Sequence, residues 1–412
     1  MRVLHINQSD LFGGAAIAAY RLHQGLLAQG VESRLLVGNV TTSDSRVAPT
    51  PRWPFVERQL FRLCYLMGLN YLNHISSFRI PKHPFFQEAD ILHFHNLHTG
   101  YFNYLAIPAL TREKPAVFTL RDMWGITGHC SYSYDCERWK TGCGKCPHPD
   151  TYPEILVDSS GLEWRLKQWS YRRSNLTIVG ISRWLTEQAR SSILSCFPVY
   201  HIANGIDTES YQPLNLEKCR FVLGLPANKK VLLFGAHNLK APRKGVDLLV
   251  NALRSLPGSL KNEIVLLTMG TSGDSISEIT EMATINLGFL SSDRLKSIAY
   301  SAADLFLFPT RQDAFGLVAQ EAVACGTPVV SFNGGGVPDI VRPGITGYLA
   351  EPENTKDFAA GIVQLLEDDG LRRRMENQCR EIALREYALE QQTKKYLDLY
   401  HHVLGTYEDR CK

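Results

Sequence analysis

The stretch PTRQDAFGLVAQEAVACGTPVVSFNGGGVPD, residues 309–339, decides how this chain is read. It follows the apolar run DLFLFPT at 304–310, passes through Ala-Phe-Gly into an alanine-rich helical run, and breaks at Gly326-Thr327-Pro328. The apolar run PVVSF, 328–332, follows at once. Strand, helix and strand in such close succession form one unit of a parallel sheet. Two carboxylates, Asp313 and Glu321, stand eight residues apart around the Phe-Gly turn that opens the helix. Asp313 is expected in the loop at the helix mouth, where the free N–H groups of Phe315, Gly316 and Leu317 point at an incoming anion or sugar hydroxyl. Glu321 lies about two turns further in, where one ionised carboxylate can accept both hydroxyls of a ribose. That layout suits a nucleotide-sugar.

Outward from this stretch, short β-rich runs alternate with amphipathic helical runs twice over, the pattern of parallel sheets covered on both faces. The first half starts with a strand at Val3–Ile6, a Gly13-Gly14 turn, a helix through Ala15–Gln29 stopped at Gly30, and a strand at Arg34–Val37. Further strands are expected at Ile91–Phe94, Ala116–Leu120 and Thr177–Gly180. The second half restarts with VLLFGA at 231–236, then a helix from Val246 and strands at 264–270, 285–289, 304–310 and 328–332. The fold class is therefore α/β, with two doubly wound domains. Their boundary falls near HIANGIDTESYQP, 201–213, where Asn-Gly and Pro mark a turn-rich linker. Ligand is expected beyond the carboxyl ends of the strands, in a cleft between the domains.

Composition bounds the function without naming it. A chain of 412 residues carries two or three domains, and 44% hydrophobic with 21% charged residues is ordinary for a globular protein. The net charge of +3 is too small for a nucleic-acid partner held by overall field. No apolar run approaches the 18 or so residues that span a bilayer, and MRVLHINQSDLFGG lacks the charged start and apolar core of a signal peptide. A cytoplasmic location is expected. The scattered Cys64, Cys196, Cys219, Cys325, Cys379 and Cys411 fit reduced, packed thiols.

The 309–339 motif resembles the family-4 retaining glycosyltransferases, whose signature reads E-x7-E inside EGFGLVLLEALACGTPVV; Asp313 stands where that family has its first Glu. The shorter side chain reduces the reach by roughly 1.5 Å. The linker at 201–213 is similar to the family's NGID or NGVD followed by F-x-P. This resemblance covers nearly the whole chain and implies the GT-B architecture, two facing Rossmann-like domains with an interdomain cleft. It divides the chain into an N-terminal acceptor-side domain at 1–203 and a nucleotide-sugar-binding domain at 204–387. The last segment, 388–412, is then a helix crossing back to the first domain.

Further motifs take their meaning from that cleft. In HNLKAPRKGVDLL, 237–249, Lys244 precedes Gly245 at a loop-to-helix junction, so an ammonium and a helix N-terminus can face one diphosphate. The family commonly reads G-R-L-x-x-x-K-G here; Lys244-Gly245 matches its end, and Arg243 or Lys240 is expected to supply the charge of the missing Arg. A merely solvated basic loop is the alternative. Gly13-Gly14 lets backbone approach a ligand because glycine has no Cβ. A plain tight turn explains it equally, and the resemblance implies that this loop borders donor phosphates and acceptor. His93, His95 and His98 lie in DILHFHNLHTG, 90–100; alternation places His93 and His95 on one strand face, and a core or substrate-binding role is preferred to a metal site. Arg121, in VFTLRDMW, stands where the family usually has His. Its permanent charge cannot serve as a neutral acid–base group but can hold a phosphate or polarise a hydroxyl.

Two insertions remain. HCSYSYDCERWKTGCGKCPHP, 129–149, places Cys130, Cys136, Cys143 and Cys146 within 17 residues, enough for a tetrahedral structural zinc; a disulfide pair or reduced packed thiols are the alternatives. A similar insert occurs in one bacterial branch of the family. The segment 52–86, aromatic and basic, reads either as a helical pair packed on the sheet or as an amphipathic face for an anionic membrane or lipid-linked acceptor, which would put the protein at the inner face of the plasma membrane.

Taken together, these expectations describe a retaining transferase moving a sugar from a nucleoside-diphosphate sugar to a saccharide or lipid-linked saccharide hydroxyl, in bacterial surface polysaccharide synthesis by resemblance. Lys244, Arg243, Asp313 and Arg121 are the catalytic candidates. Gly13, Gly14, Phe315, Gly316, Leu317 and Glu321 are the donor-binding candidates. No D-x-D motif appears where a catalytic cation would be needed, so no cofactor is expected in the chemistry. The alternatives are a GT-B-fold epimerase or phosphorylase, and a non-catalytic nucleotide-sugar-binding or scaffold protein, the latter suggested by Arg121 and Asp313.

Overall fold

The computed structural model describes residues 1–239, 241–271 and 282–411. The chain divides into two compact units, Met1–Gly205 with Gln392–Lys412, and Ile206–Gln391.

The first unit is built on seven strands: β1 (Arg2–Ser9), β2 (Glu32–Asn39), β3 (Val47–Pro49), β4 (Ile91–Phe94), β5 (Ala116–Leu120), β6 (Leu176–Gly180) and β7 (Val199–His201). All pairings are parallel and the order is β3-β2-β1-β4-β5-β6-β7. Every residue of β4, β5 and β6 is buried, as a strand covered on both faces requires. The helix Gly14–Ala28 lies on the sheet through Ala16, Ala19, Leu22 and Leu26; its small residues bring the backbone close. The same face is closed by the end of the chain. Tyr396, Leu399, Tyr400 and Val403, three and four apart on the helix Leu389–Cys411, pack with Val3, Ile91, Val117 and Val179.

The second unit holds β8 (Lys230–Asn238), β9 (Ile264–Thr271), β10 (Thr284–Asn286), β11 (Leu305–Phe308), β12 (Val329–Phe332) and β13 (Gly347–Ala350). They form a parallel sheet in the order β10-β9-β8-β11-β12-β13. Its core unites Leu232, Leu266, Leu307 and Phe332 with Leu253 and Ile362 from covering helices. In each sheet the strand order reverses beside the first strand, between β1 and β4 and between β8 and β11. Loops leaving the carboxyl ends of those strands are where a doubly wound sheet binds ligand.

Several expectations change. The strands β3, β7 and β13 have only three or four residues each and fall below what apolar periodicity reveals. The run 285–289 is a strand only over Thr284–Asn286, and 304–310 only over Leu305–Phe308. Residues 52–86 are not a helical pair on the sheet. Pro54–Leu66 is one helix that buries only Glu57, and a 3-10 stretch, Ile75–Lys82, and a short helix, Pro84–Glu88, follow it. Glu57 is buried because it accepts the backbone N–H and the hydroxyl of Ser76, which ties the helix to that stretch by one polar anchor. Among the described residues no helix is long and apolar enough to cross a membrane.

One buried carboxylate, unremarked in the sequence, shapes the loop after β1. Asp10 accepts from Thr41 N–H (2.8 Å) and Oγ1 (2.7 Å), Thr42 N–H (2.8 Å) and Oγ1 (2.9 Å), and Leu11 N–H (2.9 Å). It clamps the loop that leads into Gly13-Gly14 to the end of β2. Burial opposes its charge, yet the Thr41 and Thr42 donors outweigh burial and bring the carboxyl down to about 2. Asp10→Ala is expected to lower the unfolding free energy at pH 7 by roughly 2 to 4 kcal/mol, because several buried donors lose their acceptor. A folded-state pKa below the ordinary one means that this contribution is complete above about pH 5 and lost as pH falls through the folded value. Urea titrations of both proteins at pH 7 and near pH 3 should show the gap narrowing in acid; an unchanged gap would mean that the charge of Asp10 contributes nothing.

Candidate active site

In the second unit β11 is apolar and fully buried, and it ends in the loop Pro309–Gly316. That loop is stitched to the 3-10 turn Pro242–Lys244, which follows β8. The Arg243 carbonyl accepts the Arg311 N–H (3.0 Å) and the Thr310 hydroxyl (3.1 Å). Gly245 has φ +68°, and a Cβ on it would lie 1.9 Å from the Pro309 carbonyl oxygen, so only glycine lets the two loops touch. Gly335, with φ +60°, meets the same limit against the Asp313 carbonyl at 2.3 Å, and the Gly336 N–H donates to that oxygen at 2.8 Å. The glycines of 334–336 thus brace the backbone of Asp313 from one side while Gly245 admits the basic turn from the other.

The result is a compact charge cluster. Asp313 Oδ2 accepts from Arg243 Nη1 at 2.7 Å and from Lys244 Nζ at 3.0 Å, and Arg243 also donates to the Gln312 carbonyl at 2.8 Å. Burial works against the Asp313 charge, but Lys244 and then Arg243 hold the carboxyl well below the usual carboxylate range. Burial and neighbouring Arg243 lower Lys244, and Asp313 pulls it back up. One carboxylate against two cations leaves net positive charge. The side chains of Arg243 and Lys244 retain 25% and 17% of their accessibility, so an anion can reach them. Lys240, the other candidate for that charge, lies outside the described residues.

The helix Leu317–Ala324 begins directly after Gly316, whose φ of +96° turns the chain into it. Its opening differs from the expectation in one respect. The Phe315 N–H is not free; it donates to Asp313 Oδ1 at 3.3 Å, and the Phe315 ring is buried edge-on against Tyr387. Gly316 and Leu317 form the helix start as expected. Glu321 is on the buried side of this helix, where Oε2 accepts the Tyr300 hydroxyl at 3.2 Å.

In the first unit Gly13 (φ +88°) and Gly14 open the first helix, at the carboxyl end of β1. Beside them a polar column runs through the sheet. Parallel pairing sets His5 opposite His93, and His95 follows beyond. Arg121 Nη2 donates to His95 Nδ1 (3.0 Å), and His95 Nε2 meets His5 Nδ1 (2.9 Å). Since Arg121 can only donate, His95 carries its proton on Nε2, and His5 therefore carries its own on Nε2, an atom with no partner among the described residues. Burial drives all three imidazoles well below their ordinary value, so they are neutral. Their nearest nitrogens lie within 4.8 Å of one another, yet His93 uses both of its nitrogens, on Tyr400 (2.6 Å) and Thr119 (2.7 Å). That column is a hydrogen-bonded core with a guanidinium at its end, which disfavours a metal. His98 departs from the trio and pairs with Asp122 at 2.8 Å. Arg121 is buried, held by His95 and the Asn204 amide oxygen. His5, Asp10 and Asn204 carry no local signal in the sequence, because each lies far along the chain from the residue it serves.

Cys130, Cys136, Cys143 and Cys146 are free thiols lining one small cleft together with His129.

Comparison with known proteins agrees with this architecture. Residues 12–210 match the family model described as Glycosyltransferase Family 4, and residues 216–382 match the model described as Glycosyl transferases group 1. The chain belongs to this family and is a glycosyltransferase. It is similar to the putative colanic acid biosynthesis glycosyl transferase WcaC of Escherichia coli K12, 26% identical over 390 residues, 86% of this chain and 88% of that one. Its fold is that of a sucrose-phosphate synthase from Thermosynechococcus elongatus (TM-score 0.72, 17% identity, 98% of this chain and 100% of that one). It is also that of Anabaena HepE solved with UDP-glucose (TM-score 0.66, 16% identity, 98% and 100%). These are two-domain GT-B folds.

Replacing Gly245 with alanine adds a clash to an unfavourable φ and is expected to lower the unfolding free energy by roughly 3 kcal/mol or more. Gly224 has a similar φ, +64°, with open space around it; there the same change should cost only about 1 kcal/mol. Urea midpoints of the two variants measure the difference, and equal midpoints would show that the basic turn does not depend on its contact with Pro309.

Proposed function

We propose that this glycosyltransferase takes a nucleoside-diphosphate sugar as donor and a saccharide, free or lipid-linked, as acceptor, with retention at the anomeric carbon, in bacterial surface polysaccharide synthesis. The observation that carries this reading is the cationic pair on Asp313 beside a helix start. In the reaction the bond between the anomeric carbon and the diphosphate breaks and its electron pair stays on phosphate. The acceptor oxygen forms the new bond on the same face and yields its proton to the departing diphosphate. Lys244 and Arg243 meet the charge that grows on the β-phosphate, each contributing roughly 3 kcal/mol at the transition state by analogy with oxyanion donors. Glu321 takes the ribose hydroxyls. Asp313 acts through its neighbours: with Oδ2 held by both cations and Oδ1 by Phe315, it fixes where they point, and the Gly316 and Leu317 amides orient the sugar. Gly13 and Gly14 allow close approach of the donor phosphates. Arg121 offers its Nε, which has no partner among the described residues, to an acceptor or phosphate oxygen. No metal takes part in this chemistry, and the thiols of 129–149 stand outside it as a structural metal site.

Nucleotide release from UDP-, GDP- and ADP-sugars, with and without acceptor and with no divalent cation added, tests the reading. Wild type should release nucleotide from one donor class. Lys244→Ala should fall about a hundredfold in kcat, whereas Glu321→Ala should mainly raise KM through lost ribose contacts. Donor binding with no turnover in any combination would favour a binding protein, and donor isomerisation an epimerase.

The acceptor side includes an anionic membrane surface. On the helix Pro54–Leu66 Phe55 is 77% exposed and Leu66 65%, with Phe61 and Leu63 also exposed; Arg58 and Arg62 on the same helix, and Arg79 and Lys82 on the 3-10 stretch after it, are exposed as well. Exposed apolar side chains in a segment that also exposes cations suit the interface of an acidic bilayer. Co-sedimentation with vesicles containing phosphatidylglycerol should fall about tenfold or more in Phe55→Ser/Leu66→Ser, two buried apolar side chains each being worth more than 1 kcal/mol, and vanish on neutral vesicles. Equal sedimentation of variant and wild type would remove the membrane from the reading.

A further inference from the structure

The loop that leaves β5 through Arg121–Trp124 runs into the cysteine cleft, and one residue there was not foreseen as a ligand. His129 Nδ1 faces the Pro153 carbonyl oxygen at 2.9 Å. A carbonyl only accepts, so Nδ1 carries the proton and Nε2 carries the lone pair. Nε2 lies 3.1 Å from Cys146 Sγ, inside the cleft lined by the other thiols. Metal-bound histidines are oriented in the same way, with the remote N–H given to a carbonyl. With zinc bonds of about 2.1 Å to nitrogen and 2.3 Å to sulfur at a tetrahedral angle, ligand atoms stand about 3.6 Å apart. Nε2 and Sγ therefore need to separate by only about half an ångström, while the other sulfurs must move in, since no three of these ligand atoms lie within 4.8 Å of one another.

Backbone N–H groups face two of the sulfurs, while burial raises both thiols. The Gly128 N–H donates to Cys143 Sγ at 3.2 Å, and Cys146 receives the His148 N–H. Gly144 (φ +130°) and the left-handed Lys145 (φ +48°) turn the chain so that Cys143 and Cys146 both face the cleft. Behind them the buried Lys167 ammonium is gripped by the carbonyls of Trp124 (2.8 Å), Thr127 (3.0 Å) and Gly128 (3.5 Å), directly before His129. A protonated Lys167 at that point offsets part of the negative charge of a thiolate-rich site.

We infer that His129, Cys136, Cys143 and Cys146 bind one structural Zn2+, with Cys130 packed beside the site and not a ligand. His129 and Cys130 are adjacent, and the orientation of His129 makes it the one of the two aimed at Cys146. Zinc pins the insert to the carboxyl end of β5, a wall of the first unit's ligand-facing edge. With four protein ligands there is no open position for substrate, so the site stabilises and does not react. Closing the three sulfurs onto the ion draws the loop inward and releases the thiol protons.

Metal analysis of the purified full chain after gel filtration is the test, and it does not depend on the transferase reading because zinc content is measured directly. About one zinc per chain is expected in wild type and in Cys130→Ser, and less than a tenth of that in His129→Ala and Cys143→Ser. Chelator-stripped wild type should take up Co2+ with thiolate charge-transfer absorption, a readout that needs no variant to fold. Wild type without zinc and without cobalt uptake would overturn the site. Zinc kept by His129→Ala and lost by Cys130→Ser would overturn the ligand assignment in favour of four thiolates.

Discussion

The carboxylate of Asp313 between Arg243 and Lys244 is the interaction on which the second unit's site depends. Two like charges within reach of one point repel, and in a half-dry loop that repulsion is barely screened. A single carboxylate oxygen accepting from both, at 2.7 and 3.0 Å, holds them side by side. The arrangement works only because three stretches of backbone come within van der Waals contact: the basic turn at Gly245, the loop of Asp313 and the glycines at 334–336. The glycines therefore serve the electrostatics. They remove the side chains that would keep the charged groups apart.

Both units place their polar residues by the same rule. Strands buried on both faces are apolar along their length, so charge and hydrogen-bonding groups collect where the strands end. In the second unit that is the loop after β11 and the turn after β8; in the first it is Asp10, Gly13 and Arg121. The histidines His5 and His93 are exceptions within the sheet itself: Tyr400 and Thr119 satisfy both nitrogens of His93, and His95 satisfies Nδ1 of His5. The closing helix supplies Tyr400, so the last turns of the chain complete a polar column begun at residue 5.

The parallel α/β architecture was legible because its signal is local. Runs such as VLLFGA and DLFLF are apolar over four to six residues and bounded by turn residues, and glycines such as Gly13 and Gly245 mark where strand passes to helix. Strands of three residues, such as Val47–Pro49, have no such signal and exist because a neighbour's edge is available to pair with. The segment 52–86 misled for a related reason. Its apolar content suggested packing on the sheet, whereas Glu57 alone is buried in its helix and the aromatic face is turned outward.

The residue types, their spacing around Asp313 and Glu321, the alternation that makes two doubly wound sheets, and the cysteine spacing of 130–146 are written in the linear chain. Which groups meet is settled by the folding of distant segments onto one another. Asp313 is 69 residues from Lys244, His5 is 90 from His95, and His129 finds Cys146 through a loop whose path no periodicity describes. Strand order sets those encounters, because hydrogen bonding between strands distant in sequence fixes which carboxyl ends are neighbours. The partners then determine charge state and proton position. Asp313 is charged because two cations face it, and His129 presents Nε2 because Pro153 accepts at Nδ1.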